Sequence, residues 1–148
     1  MSPLVRSIVA VFVGVVATGA VIGILELPAN FVHPPPRDFN MNDREQIRRH
    51  TENAPTSAIL IVLSAYVVGP FVGAWLAARL ARRAQFLHAG IVAALFFALS
   101  VMNLRFTPGH PTWFAFANLT LFVPVTLLAA WLARPKAVQP PREVVASK

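Results

Sequence analysis

The sequence predicts an all-α fold: a bundle of four transmembrane helices with a short amphipathic or surface helix in the first outer loop. The first observation behind this prediction is composition, because 56% of the 148 residues are hydrophobic and only 13% are charged, which is unusual for a soluble domain. The second is the placement of the charges, which lie between four long apolar runs. Each run is long enough to cross the roughly 30 Å hydrocarbon core of a bilayer as a helix.

These uncharged runs define the elements in order. The four predicted spans are about 5–27, 56–78, 85–104 and 111–133. An outer loop, 28–55, joins the first two spans, and residues 1–134 form one membrane domain. The remaining residues, 135–148, are polar and rich in proline, so we expect a cytoplasmic tail that is disordered unless it docks on a partner.

The first span also has features of a secretory signal peptide, because one basic residue, Arg6, precedes its uncharged apolar run and small residues such as Ala17 and Ala20 lie within that run. Its apolar run, however, exceeds the roughly 7–15 residues usual for the hydrophobic part of a signal peptide. We therefore predict that it is a transmembrane helix.

The distribution of basic residues predicts the orientation. Lys and Arg flank the cytoplasmic ends of spans, and on one side of this chain there are eight of them. Those eight are Arg6, Arg79, Arg82, Arg83, Arg134, Lys136, Arg142 and Lys148. The other side has five, and most of these lie close to acidic residues in the first loop. Both termini are therefore predicted to be cytoplasmic.

The first outer loop contains the predicted surface helix. Three prolines, 34–36, favour extended backbone, and Asn42 then fits the N-cap of a helix with Glu45 as its capping-box partner. The helix is expected to end before Pro55. Ile47 is its only apolar residue, so the helix should lie on the surface or against lipid headgroups.

Small residues spaced for close helix packing recur in the first two spans. In lipid, such residues let two helix backbones approach closely and gain dispersion contacts. The predicted packing residues are Gly14, Gly19, Gly23, Gly69, Gly73 and Ala77. Two interpretations follow: the first two spans pack against each other, or one of the small-residue stripes faces a partner protein.

Few polar or helix-breaking residues lie within the spans. Asn118 is predicted to form a hydrogen bond between helices, with a ligand-binding role as the alternative. Pro70 and Pro124 each remove a backbone hydrogen bond and should kink their helices. Broken helices of this kind can mark the substrate site of a transporter, although membrane helices also tolerate static kinks.

A polar cluster is predicted on the outer face, where the first loop and the loop between the last two spans meet. Its members are Glu26, His33, His50, Arg105, His110 and Trp113. Imidazoles with a carboxylate could bind a metal ion or relay protons. No HxH, HxxH or HExxH spacing is present, so we predict no metal site and no cofactor, and we expect Glu26 to form an ion pair with Arg105.

Two segments resemble a family of small, uncharacterised bacterial four-helix integral membrane proteins. They are PFVGAWLAARLAR at 70–82 and TPGHPTWFAFANLTLFVPVTLLAAWLA at 107–133. Members of that family open the last span with Pro-x-x-Trp-Phe and carry a proline later in it. The matching residues here are Pro111, Trp113, Phe114 and Pro124, although one residue, not two, separates Pro111 from Trp113. The resemblance implies a bacterial membrane protein, and it carries no activity or catalytic residue.

These features predict a protein of the bacterial inner membrane that is not an enzyme. We expect an accessory or structural subunit that packs against a larger membrane complex, respiratory or photosynthetic, or against copies of itself. The alternative is a small transporter or channel with a polar path near Asn118, Pro70 and Pro124. Nucleic-acid binding is not expected, because the net charge of +7 is explained by membrane topology and no basic stripe is interleaved with aromatic residues.

Overall fold

A computed structural model describes residues 2–134, so the predicted tail at 135–148 lies outside the described residues. Within this range the chain forms five α-helices and no strand. Their bounds are α1 Pro3–Val32, α2 Arg44–Glu52, α3 Thr56–Ala81, α4 Gln85–Phe106 and α5 Thr112–Leu132. All but α2 are long and apolar enough to cross a membrane, which confirms the predicted all-α fold with four candidate spans.

Helix α3 is the centre of the bundle, because it contacts α1, α4 and α5. Helix α1 packs along α3 and touches α4 only slightly. The chain reverses direction at each connection, so the bundle has two distinct ends. We call the end formed by residues 33–55 and 107–111 the loop end. The opposite end is called the basic end, and it carries Arg6, Arg79, Arg82, Arg83 and Arg134.

Alanine dominates the contact among α3, α4 and α5. A cluster of buried alanines lies where these helices meet near the basic end, and Phe71 and Trp75 pack against it. The cluster comprises Ala74, Ala78, Ala89, Ala129, Ala130 and Ala133. Small side chains bring helix axes close together, and in lipid this close packing is a main source of helix association.

The boundary between the first span and the outer loop differs from the prediction. Residue 28 was expected to begin the loop, but α1 continues through Pro28 to Val32 and is capped by His33, whose N–H donates to the Ala29 carbonyl at 2.8 Å. A proline costs a helix one backbone hydrogen bond. Here that loss falls in the last turns of α1, where the helix leaves the bundle at the loop end.

The surface helix α2 is present and has no buried residue, as predicted, but its cap is not the predicted one. Asp43, not Asn42, is the N-cap, and its carboxylate accepts from the backbone N–H groups of Glu45 and Gln46. A carboxylate at this position also interacts favourably with the positive end of the helix dipole. The Glu45 side chain is thereby left to bond with Arg48 further along the helix.

Candidate functional site

A cavity of about 150 Å³ lies at the loop end, between α1, α2, α3 and the start of α5. Three of the predicted cluster residues, His33, His50 and His110, line it together with Asn30 and Thr51. The rest of its wall is apolar, formed by Ala29, Ala54, Ala58, Ile59, Val62 and Phe114. Residues from four separate parts of the chain therefore form one small chamber with polar and apolar walls.

Two of the histidines, His33 and His50, form a stacked pair. Their ring centroids are 4.2 Å apart and the planes differ by 13°, while Phe39 lies 5.1 Å from the His50 ring. The Nε2 atom of His33 is 2.9 Å from the backbone carbonyl of His50. Because a carbonyl only accepts, this nitrogen carries the proton, and the pair joins the end of α1 to α2.

The third histidine, His110, is held from the opposite side of the cavity. Its Nδ1 atom donates to the backbone carbonyl of Thr107 at 2.8 Å, and its ring stacks on Phe114 with centroids 4.7 Å apart. The bond to Thr107 fixes the tautomer, so Nε2 has a free lone pair. His110 can therefore accept a hydrogen bond from a small molecule or water in the cavity.

The geometry of the cluster does not match that of a metal centre. Within residues 2–134, no group of three His, Cys, Asp or Glu side chains is arranged so that it could hold one metal ion. The His33 and His50 rings lie face to face, so they do not converge on a common point. The cavity presents apolar walls and the free Nε2 lone pair of His110.

Packing of neutral histidines predicts that the loop end responds to pH. Burial lowers the pKa of His50 below its usual value of 6.5, with a further contribution from His33, and burial likewise lowers the pKa of His110. A histidine ring that leaves the packed loop end takes up a proton near pH 6.5, whereas the packed ring stays neutral at that pH. The stability gained from packing is therefore present above pH 6.5 and is lost as the pH falls towards the lowered pKa values.

We expect amide exchange in α2, corrected for intrinsic rates, to accelerate between about pH 7.5 and 5. Glu45 does not contribute in that window, because hydrogen bonds from Arg48 and then Arg49 lower its pKa to about 2. A His50→Phe, His110→Phe double variant should flatten the response. Protection of α2 that stays constant in the native chain across this range would contradict the prediction.

Glu26 has a different partner from the predicted one. Its carboxyl faces the Tyr66 hydroxyl on α3 and makes no ion pair with Arg105; in the described part of the chain the ion pairs lie within α2. Arg105 is on α4, which α1 touches much less than it touches α3. Its backbone carbonyl instead accepts from Arg44 of the first loop at 3.0 Å. The predicted ion pair was therefore wrong.

A chain of hydrogen bonds continues from Tyr66 towards the loop end. The Asn103 amide donates to the Tyr66 hydroxyl at 2.8 Å, and the Thr107 hydroxyl donates to the Asn103 side-chain oxygen at 3.0 Å. These bonds join α3 to the end of α4, and the Glu26 carboxyl of α1 faces the same Tyr66 hydroxyl. Polar side chains in apolar surroundings are normally paired in this way, and these bonds hold α3 and α4 together near the cavity.

The last cluster member, Trp113, lies beside the cavity and not in its wall. Its ring meets Phe114 edge to face at 6.2 Å, and 42% of its surface is exposed. That placement fits an aromatic anchor at headgroup level. The structure therefore divides the predicted cluster: three histidines share the cavity, Glu26 and Arg105 make other contacts, and Trp113 flanks it.

Asn118 lies inside the bundle and is 2% exposed. Its side chain pairs with Ser100 of α4, with N–O and O–O distances of 3.3 and 3.5 Å. In the described residues, no fully buried side-chain nitrogen or oxygen lacks a hydrogen-bond partner. Asn118 thus bonds between α4 and α5, as the sequence predicted.

Four of the predicted packing residues lie in the contact between α1 and α3: Gly14, Gly69, Gly73 and Ala77. A methyl group added to Gly14 would lie 2.7 Å from the Gly73 carbonyl and 2.9 Å from the Ala77 methyl group. One added to Gly69 would lie 2.5 Å from the Ile22 side chain, and one added to Gly73 would overlap Thr18. The two backbones are therefore too close to accept any side chain at these glycines without movement.

The other predicted packing residues, Gly19 and Gly23, lie outside the contact between α1 and α3. A methyl group added to Gly19 or Gly23 would meet no atom within 4 Å. Both residues are exposed on the side of α1 that faces away from α3, together with Ala20 and Ile24. We call this surface, Gly19, Ala20, Gly23 and Ile24, the open stripe.

Sequence reasoning did not assign Tyr66, Asn103 and Phe114 to the site. Tyr66 had a usable signal, because it is the one tyrosine of the chain and lies within an apolar span. A phenol in such a position usually needs a hydrogen-bond partner. Phe114 belongs to the Pro-Thr-Trp-Phe segment that opens the last span, but that segment gave no reason to place it beside a histidine.

Comparison with known proteins gives no relative: the sequence matches no protein-family model, no curated protein and no solved structure.

Proposed function

We propose that the protein is a non-catalytic subunit that packs against a larger membrane complex through the open stripe of α1. The observation that carries this proposal is the asymmetry of α1. One face is closed on α3 at Gly14 and Thr18, while Gly19 and Gly23 present the same kind of small-residue surface to the outside. Only 17% of the most apolar window of α1 is buried, the smallest share among the four candidate spans.

An unfilled small-residue stripe is a suitable contact for another helix. Glycine leaves the backbone accessible, so a partner helix can approach closely and gain dispersion contacts that mobile lipid chains supply less well. Large apolar side chains border the stripe, including Phe12, Val16 and Leu27, which are 53–67% exposed. These side chains would lie on either side of a docked helix.

The interior of the bundle favours assembly over transport. Asn118 is buried and bonded to Ser100, and Pro70 is also buried within α3. Two of the three residues of the predicted path are thus paired or enclosed by side chains, and the third, Pro124, is exposed on the outside of α5. For this reason we prefer the subunit function to the transporter or channel alternative.

The proposed location is a bacterial inner membrane with both termini in the cytoplasm. The count of eight Lys and Arg residues on the side of the termini, which includes Lys136, Arg142 and Lys148 of the tail, against five on the other side supports this orientation.

The proposal is tested by site-specific photo-crosslinking in native membranes. A photoreactive residue at position 19 or 23 should give a crosslink of discrete mass to another membrane protein, because both positions lie on the open stripe. Position 90 of α4 is the matched control, since Gly90 also has open space around it but belongs to a different helix. We expect only lipid adducts from position 90.

A Gly19→Leu, Gly23→Leu double variant should lose the partner during mild-detergent purification while keeping the thermal stability of the isolated protein. Gly90→Leu should retain the partner. Crosslinks from positions 19 and 23 that reach only lipid, or only a second copy of this chain, would overturn the proposal.

A further inference from the structure

The basic end contains a cleft that the packing function does not use. It has a volume of about 400 Å³ and lies between the start of α1 and the end of α3. Three arginines, Arg6, Arg79 and Arg82, line it together with Val9 and Leu80. The cleft therefore combines a concentrated positive charge with an apolar wall.

No acidic residue of the described chain lies near this cleft. The five acids in that part of the chain run from Glu26 to Glu52, and all belong to the loop-end half of α1, the first loop or α2. Arg79 has an aromatic neighbour instead, with its guanidinium 6.0 Å from the Trp75 ring. Within residues 2–134, nothing at this end neutralises the three guanidinium groups.

The two apolar residues distinguish the cleft from a simple surface charge. Val9 and Leu80 are each 41% exposed; Val9 lies about one turn inside Arg6 on α1, and Leu80 lies between Arg79 and Arg82 at the end of α3. A molecule in the cleft would thus meet guanidinium groups and apolar side chains together at one end of the bundle. An anionic phospholipid combines these two kinds of group, because it carries a phosphate next to acyl chains.

We propose that this cleft binds the phosphate group of an anionic phospholipid, such as phosphatidylglycerol or cardiolipin. Guanidinium groups bind phosphate oxygens through paired N–H donors, which gives stronger and more directional contacts than an ammonium group makes. Free phosphate would satisfy the arginines equally well, but it would leave Val9 and Leu80 without a partner. The acyl chains therefore favour the lipid as the occupant.

The test is native mass spectrometry of the full-length protein released from nanodiscs that contain equal amounts of phosphatidylglycerol and phosphatidylcholine. We expect preferential retention of phosphatidylglycerol. Arg6→Gln and Arg79→Gln should each reduce that retention about fivefold, the change that corresponds to about 1 kcal/mol per basic residue at an anionic surface. Arg79→Lys should give an intermediate loss, because it keeps the charge but not the paired donors.

Arg83→Gln is the matched control, because Arg83 lies in the same basic turn and outside the cleft wall. It should retain the lipid as the native chain does. Arg82 is not substituted, since its backbone is left-handed at φ 61° and a change there would also alter the turn. Thermal unfolding of each variant checks that the bundle is intact.

Three results would overturn the proposal. The first is an equal loss in Arg83→Gln and Arg79→Gln, which would indicate general surface charge. The second is equal retention of phosphatidylcholine and phosphatidylglycerol by the native chain. The third is complete displacement of the lipid by millimolar inorganic phosphate, which would identify a free-phosphate site. None of these results bears on the open stripe, so the two proposals fail independently.

Discussion

Gly73→Ala is expected to destabilise the bundle by about 1–3 kcal/mol, the usual cost of adding a methyl group to a closely packed contact. The new methyl group would overlap Thr18 and the Gly14 carbonyl, so α1 and α3 would have to move apart. Because α1 packs mainly on α3, it has little other contact to compensate. The free energy of unfolding, measured by SDS titration in mixed micelles, gives the magnitude.

Gly19→Ala is the control for this change. It makes the same substitution on a membrane helix but places the methyl group in open space, so its effect should stay within about 0.5 kcal/mol. Adding Thr18→Ala to Gly73→Ala should recover part of the loss, because it removes one of the two overlapping groups. Equal stability of Gly73→Ala and Gly19→Ala would show that the close contact between α1 and α3 is not what holds the first helix.

Phe114→Ala should have the largest effect of a single truncation at the loop end, about 3 kcal/mol. Phe114 is fully buried, supports the His110 ring and forms part of the cavity wall. Truncation would enlarge the existing cavity and leave His110 without its stacking partner. The value lies at the low end of the range for Phe→Ala, because in a membrane the released ring enters lipid and not water.

Phe116→Ala provides the comparison, since Phe116 lies two residues along α5 and is 74% exposed. Its loss should change the free energy of unfolding by no more than about 0.5 kcal/mol. Hydrogen exchange would add a local measurement. Amide exchange in α2 should be faster in Phe114→Ala than in the native chain, and it should be unchanged in Phe116→Ala. Equal free energies of unfolding for the two variants would mean that the Phe114 side chain does not stabilise the helices around the loop-end cavity.

Charge and hydrophobicity were sufficient to predict the membrane helices. A bilayer accepts a backbone only when its polar groups are satisfied within the segment, so a long uncharged run has almost no alternative to a helix. The same reasoning failed at Pro28 and Asn42, where the choice is local. There, α1 continued past Pro28, and Asp43 was a stronger cap than its neighbour.

Contacts between distant residues could not be predicted in the same way. His33, His50 and His110 were grouped correctly on one face from topology alone, but their separation into a stacked pair and a ring on Phe114 depends on how α2 lies over the bundle. Glu26 was expected to pair with Arg105, but its carboxyl faces Tyr66. The closer packing of α1 on α3 than on α4 selected Tyr66 over Arg105.

The sequence by itself determined that this chain forms four helices long and apolar enough to cross a membrane, with a surface helix between the first two, because charged side chains in hydrocarbon are costly and the charges here lie outside the long apolar runs. Only the tertiary structure decided which small-residue stripe of α1 is used. Gly14 and Gly19 are equivalent in composition and spacing, yet Gly14 is closed against Gly73 while Gly19 is open. The physical reason is that helix pairing in lipid depends on the fit of two surfaces at short range, and that fit is a property of the pair and not of either helix alone.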